Sequence, residues 1–300
     1  MEHHHNHHHH HHHEFDPKQV NRAFIIGIVL NLAYLSIEFG FGFYVSSTSL
    51  ISDAIHNLAD VSTLFLSLIG FKLLAKKSVK NYTYGYRKSS ILIALFNAIL
   101  LLISMGAVIL EAVQRLSKPE PLPGKTIAII AGIGIFINAF TGWLFMKDQH
   151  KDINIKGAYL HLMSDALVSV AVLVGGIIMM YFGWFWVDPV LSIGIALIVI
   201  YGTWHLLRDS LRMSLDGIPP NVNLEKVEDK LNQFVEVNRV EHIHIWAISS
   251  IENAMTAHIF LNQDLSCECE RELKEEMRHA MLHQNIHHCT FEIEHNEREE

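Results

Sequence analysis

The sequence predicts an α-helical membrane protein, with six transmembrane helices followed by a small cytosolic α+β domain of order αββαβ. Three observations carry this fold class. Half of the 300 residues are hydrophobic and only 18% are charged, which is greasy for a soluble chain of this length. Six separate apolar stretches each reach the ~17–25 residues that a helix needs to cross a hydrocarbon core. Beyond Leu215-Asp-Gly-Ile-Pro-Pro220 those long runs give way to short segments of helical and alternating period. The organisation read from this is a His-rich segment over 1–19, a membrane domain over 20–212 and a cytosolic domain over 213–300.

The apolar stretches run from Ala23 to Tyr44, Leu50 to Leu74, Ser89 to Val113, Thr126 to Met146, Ala158 to Phe182 and Val187 to Leu207. Basic residues alternate across their connections. Lys76, Lys77, Lys80, Arg87 and Lys88 lie between the second and third spans, and Lys147, Lys151 and Lys156 between the fourth and fifth. Lys18 and Arg22 precede the first span, and Arg208 and Arg212 close the sixth. On the other side, 45–49 and 183–186 carry no basic residue, and a longer loop holds Lys118 and Lys125. The positive-inside rule then puts both termini in the cytoplasm of a multi-pass cell (inner) membrane protein. Trp184 and Trp186 suit an aromatic belt at the outer interface.

In the tail, Leu224, Val227, Leu231 and Phe234 form a helical stripe. Val240 to Ile248 and Ala254 to Leu261 alternate as strands, Ser266 caps a helix carrying Leu273, Met277 and Met281, and Cys289 to Glu294 alternates again. Two helices on one face of a three-stranded sheet follow. From Gly217 onward 17 acidic residues face 7 basic ones, a balance of −10 within the chain's −8. That excludes nucleic acid as a partner and suits cations.

The chemistry sits inside the membrane. His56-Asn-Leu-Ala-Asp60 and His161-Leu-Met-Ser-Asp165 each place an imidazole and a carboxylate at i and i+4, on one face of a helix. An Asp at mid-span opposes insertion by about 2.5–3.5 kcal/mol. A single pair could be a hydrogen-bonded tie between helices; the same spacing in the second and fifth spans points to function. Brought face to face, two neutral imidazoles and two carboxylates offer a tetrahedral nitrogen/oxygen set whose charge of −2 matches a divalent transition metal such as Zn²⁺. The same groups bind protons when metal leaves, so cation/proton exchange follows. Asp53 shares the His56–Asp60 face, Glu38 suits a pathway acid, and Asn31, Asn97 and Asn138 suit bonds between helices.

The tail holds eight of the twelve histidines outside the N-terminal tract. Strict alternation would set His242, His244 and Trp246 on one face, with His258 on the next strand and Glu292 and Glu294 on the third. Cys267 and Cys269, at a helix start, add soft ligands. The three cysteines all lie in this tail, consistent with a reducing cytosol. The ten histidines of 1–14 fit an added tag or a native metal-collecting tract equally.

These motifs resemble the cation diffusion facilitator family, in particular its bacterial zinc, cadmium and cobalt efflux members, from Phe24 to Glu294. They include Ser49-Leu-Ile-Ser-Asp53-Ala-Ile-His56-Asn-Leu-Ala-Asp60, Tyr84-Gly-Tyr-Arg87, Lys156-Gly-Ala-Tyr-Leu-His161-Leu-Met-Ser-Asp165, Trp186-Val-Asp188-Pro, His244-Ile-Trp246-Ala and His288-Cys-Thr-Phe-Glu-Ile-Glu294. The resemblance implies a homodimer, joined through its metallochaperone-like cytosolic domain and its membrane domain, that exports Zn²⁺ against protons by alternating access. It places the transport site on His56, Asp60, His161 and Asp165. The chain departs from the family at Glu241, where relatives often carry His, and at Glu292, where close relatives carry Gln. An extra site that some relatives carry between the second and third spans is not expected, because 75–86 has no His or Asp. A cytosolic site of its own composition, drawn from His258, Cys267, Cys269, Glu292 and Glu294, is expected instead. Zn²⁺ is then both cargo and a structural or regulatory ligand, Cd²⁺ and Co²⁺ are further cargo, and protons are the counter-ion. The alternative is a membrane metal sensor without net transport. An enzyme is not expected: no span carries His-Glu-x-x-His, and four protein ligands leave no open position for water.

Overall fold

The structure, a computed structural model, describes residues 17–44, 48–74, 76–117, 124–182, 184 and 186–294. The side chains of some helical residues, among them Glu38, Asp53, His56, Asp60 and Asp188, lie outside the described set, as does the His-rich segment up to 16.

Six long helices come first: α1 (Pro17–Tyr44), α2 (Thr48–Leu74), α3 (Ser89–Ser117), α4 (Gly124–Met146), α5 (Ile153–Phe182) and α6 (Val187–Ser214). The shortest has 23 residues and the longest 30. At 1.5 Å per residue these are roughly 35 and 45 Å long, enough for a hydrocarbon core of ~30 Å. Among the described residues, α1, α3 and α6 carry apolar stretches of full spanning length, while α2 and α4 carry the shorter Val61–Leu74 and Gly132–Met146. The helices outrun the apolar limits of the sequence. α5 begins ahead of Ala158 and α6 continues past Leu207, because a helix ends where its backbone is capped rather than where hydrocarbon ends.

Two groups of helices make up the bundle. Phe24 of α1, Leu64, Leu68 and Phe71 of α2, Phe145 of α4, and Ala158 and Leu162 of α5 share one core, with the Phe24 ring 4.7 Å from that of Phe145. α3 and α6 pair through Leu101, Met105, Ala196 and Val199. Close approach of α1 to α4 requires a glycine: a Cβ on Gly27 would lie 2.6 Å from Thr141 Cγ2. Large apolar side chains such as Phe136, Ile198 and Tyr201 face outward, as lipid in place of water allows.

The remainder forms α7 (Leu224–Asn232), β1 (Val237–Ala247), β2 (Asn253–Leu261), α8 (Cys267–Leu282) and β3 (His288–Glu294), the expected αββαβ order. β1 and β2 are antiparallel; β3 returns through α8 to lie parallel to β2. Val227, Leu231, Met255, Ile259, Met277 and Met281 fill the layer between helices and sheet. Asn223 caps α7 by accepting from the Lys226 N–H at 3.0 Å, and Ser266 caps α8 by accepting from the Cys269 N–H at 3.3 Å.

Strict alternation fails in β1. His242 has φ 50°, and the register slips so that Glu241 pairs with His258 while His244 pairs with Thr256. The strand carries a bulge there. Glu241, not His242, is therefore the direct neighbour of His258.

The two parts meet at the turn between β1 and β2. The Ser250 hydroxyl donates to Asp152, the residue before α5, and the Ser250 N–H donates to Ser90 Oγ at 3.3 Å. Arg87 pairs with Glu252 and Lys88 with Asp216. Ile91, Met213 and Ala247 pack beneath them.

Candidate metal-transport site

α5 carries the half of the site whose side chains are described. His161 is 5% exposed, and its Nε2 lies 3.6 Å from Asp165 Oδ2. The i, i+4 spacing thus does what the sequence requires, putting both groups on one face. Counting from Ile153 at 1.5 Å per residue, they lie roughly 12 and 18 Å into the helix.

His56 and Asp60 lie in α2, and their side chains are outside the described residues. Positions 56, 60, 63 and 67 are spaced by four, three and four, so they share a helix face. Thr63 and Ser67 line a small internal cavity whose other walls include Asn97 of α3, Gly157, Ala158 and His161 of α5, and Leu206 of α6. α2 and α5 thus line one cavity, through Thr63 and Ser67 on one side and His161 on the other. One turn further along, Leu64 shares a core with Ala158 and Leu162.

Neighbouring polar groups divide by role. Asn97 Nδ2 donates to Ser67 Oγ at 2.7 Å and to the Thr63 carbonyl at 3.3 Å, a bond between helices as its position suggested. Asn31 instead donates to the Gly27 carbonyl of its own helix at 2.9 Å. Ser164, between the two α5 ligand candidates, donates to the Leu160 carbonyl at 2.5 Å, which leaves that face to His161 and Asp165.

Sequence reasoning missed Asp152. It is 3% exposed and caps α5 by accepting from the Asn154 N–H at 2.8 Å and the Ile155 N–H at 3.2 Å. Burial pushes its carboxyl above the ordinary 3.8, against the lowering pull of the Ser250 and backbone hydrogen bonds. An Asp just ahead of an apolar run is an N-cap signal, and that signal was available. Its partner Ser250, 98 residues on, was not.

In the small domain the uncovered sheet face gathers part of the expected set. His258 Nδ1 is 3.1 Å from Glu294 Oε1, and its Nε2 is 3.6 Å from Glu292 Oε2. The His242 ring lies 5.1 Å from the His258 ring, while Glu241 is held by Arg239 at 2.7 Å. Cys267 and Cys269 are exposed on the first turn of α8, and no hydrogen bond joins them to His258. Among the described residues no three His, Cys, Asp or Glu side chains converge closely enough to hold an ion. A Zn²⁺ site needs its donors at ~2.0–2.3 Å, so these side chains must reorient to make one.

The architecture is that of a multi-pass membrane carrier with a helical bundle and a small sheet domain. Residues 24–213 match the cation efflux transmembrane domain, and residues 219–296 match the cation efflux protein cytoplasmic domain. The chain belongs to this family, the cation diffusion facilitators, which are transporters and not enzymes. Among similar proteins is the cadmium, cobalt and zinc/H(+)-K(+) antiporter of Bacillus subtilis (strain 168), 33% identical over 91% of this chain and 88% of its own length. The metal cation efflux system protein CzcD of Cupriavidus metallidurans is 33% identical over 91% and 86%. The zinc transporter ZitB of Escherichia coli (strain K12) is 28% identical over 91% and 87%.

Proposed function

We propose that this protein exports Zn²⁺ from the cytoplasm by alternating access in exchange for protons, with Cd²⁺ and Co²⁺ as further cargo. The ion is bound within the membrane by His56, Asp60, His161 and Asp165. The observation that carries this reading is the shared cavity of Thr63, Ser67 and His161, which supports the two His–Asp faces meeting around one ion. Two carboxylates balance the charge of a divalent cation. On its release the carboxylates bind protons, which couples the two fluxes. The names of the relatives support the cargo, and the basic residues beside the small domain support cytoplasmic termini in the inner membrane.

The chain acts as a homodimer, and its uncovered sheet face is a regulatory metal site. There His258, Glu292 and Glu294 close on Zn²⁺, with Cys267 and Cys269 as further ligands. The test is flux in proteoliposomes under an imposed proton gradient. Wild type moves Zn²⁺, and Asp60→Ala and Asp165→Ala do not, while remaining folded dimers. Metal binding with no gradient-sensitive flux refutes the proposal.

A further inference from the structure

The cavity beside His161 holds a feature that the four-ligand site does not use. Asn97 is 7% exposed, and its amide donates to Ser67 Oγ and the Thr63 carbonyl. Its carbonyl oxygen Oδ1 is buried with no hydrogen-bond partner. A buried acceptor left unpaired costs ~1–3 kcal/mol unless water satisfies it. The cavity leaves about 10 Å³ for the centre of a water molecule, near the ~10–15 Å³ at which a site holds one water. Hydroxyl and amide groups of Thr63, Ser67 and Asn97 supply the two to four polar partners that such a water requires.

Its position gives it a role. On α2, Thr63 and Ser67 follow position 60 toward the end facing the small domain. On α5, Gly157 and Ala158 precede His161 in the same direction. The cavity therefore lies on the domain-facing side of the ion site. Farther in that direction lie Asn154, whose Oδ1 would be 2.9 Å from a Cβ on Gly70, and Asp152 with Ser250 at the junction. Polar groups thus run from His161 to the junction through an otherwise apolar bundle.

We propose that this cavity is a hydration site on the domain-side access route, and that Asn97 is a positioning residue that holds its water for ion passage. This rests on the transport reading above, and deepens it. Gly157 provides the decisive perturbation. A Cβ there would meet only Leu206 Cδ2, at 3.6 Å, an ordinary contact with another wall residue. Gly157→Ala therefore fits the packing and favours the helix, yet its methyl occupies the space of the water. Asn97→Leu removes the acceptor at similar volume.

Both variants, as full-length dimers in proteoliposomes, are compared with wild type for Zn²⁺ flux, Zn²⁺ binding at equilibrium and melting temperature. The expected result is a maximal rate lower by ~10-fold or more, with Zn²⁺ stoichiometry and affinity unchanged. The melting temperature of Gly157→Ala is expected at or above that of wild type. Asn97→Ser, which keeps an oxygen and leaves room for water, regains part of the rate. Wild-type flux in both Gly157→Ala and Asn97→Leu overturns the proposal, as does a loss of rate that tracks a loss of melting temperature in both. If wild type itself moves no Zn²⁺, or Asp165→Ala still does, the transport reading fails instead.

Discussion

Replacing Asp152 by alanine tests how firmly the small domain grips the helix that carries His161 and Asp165. The carboxylate accepts the Asn154 and Ile155 N–H groups of the first turn of α5 and the Ser250 hydroxyl from the β1–β2 turn. Loss of an N-cap costs ~1 kcal/mol, and loss of a hydrogen bond to a charged group ~1.5–3 kcal/mol. With the site buried, the freed donors gain little water in compensation. The expected cost is about 3 kcal/mol. Ser250→Ala should cost less, because Asp152 keeps its two backbone donors. The assay is reversible SDS-driven unfolding in mixed micelles, run as a double-mutant cycle with Asp152→Ala, Ser250→Ala and the pair. Direct contact predicts a coupling energy of roughly 1–2 kcal/mol, within the range for bonded neighbours. Additivity within ~0.3–0.5 kcal/mol, or a cost for Asp152→Ala below ~0.5 kcal/mol, would refute the junction as described.

The same residue gives a pH signature. Its carboxyl is raised above 3.8 by burial, so the native state holds a proton that the unfolded chain has released. Stability therefore falls as pH rises from about 3.8 through the raised value, and Asp152→Asn flattens that slope in melting curves recorded across the window. At the α1–α4 contact, Gly27→Ala drives a methyl to within 2.6 Å of Thr141 Cγ2 and is expected to cost ~1–3 kcal/mol. Adding Thr141→Ser, which deletes that methyl, should restore most of the loss in the same unfolding assay. Burial pushes the Cys289 thiol up to about 11, whereas Cys267 and Cys269 are exposed. Alkylation of the folded protein at pH 8, read by mass spectrometry, should label those two rapidly and Cys289 more slowly; equal rates at all three would contradict its raised pKa.

The sequence determined the architecture because the bilayer imposes a one-dimensional rule. Apolar length and alternating basic loops delimit the spans, and the helical period fixes that His161 and Asp165 share a face. The tail was equally legible, since Ser266 is a local cap and the αββαβ order follows from local periodicity. Two features escaped for different reasons. The bulge at His242 is a backbone irregularity with a positive φ at a non-glycine residue, so strict alternation missed the slip in register that pairs Glu241 with His258. The junction of Asp152, Ser250, Arg87 and Glu252 joins residues far apart in the chain, and no periodicity encodes such a meeting. Tertiary structure alone decided that α2 and α5 line a common cavity, that Asn97 leaves an acceptor beside His161, and that a turn of the sheet domain bonds to the residue capping α5. Each depends on which helix packs against which, a matter of three-dimensional complementarity that a linear pattern cannot specify.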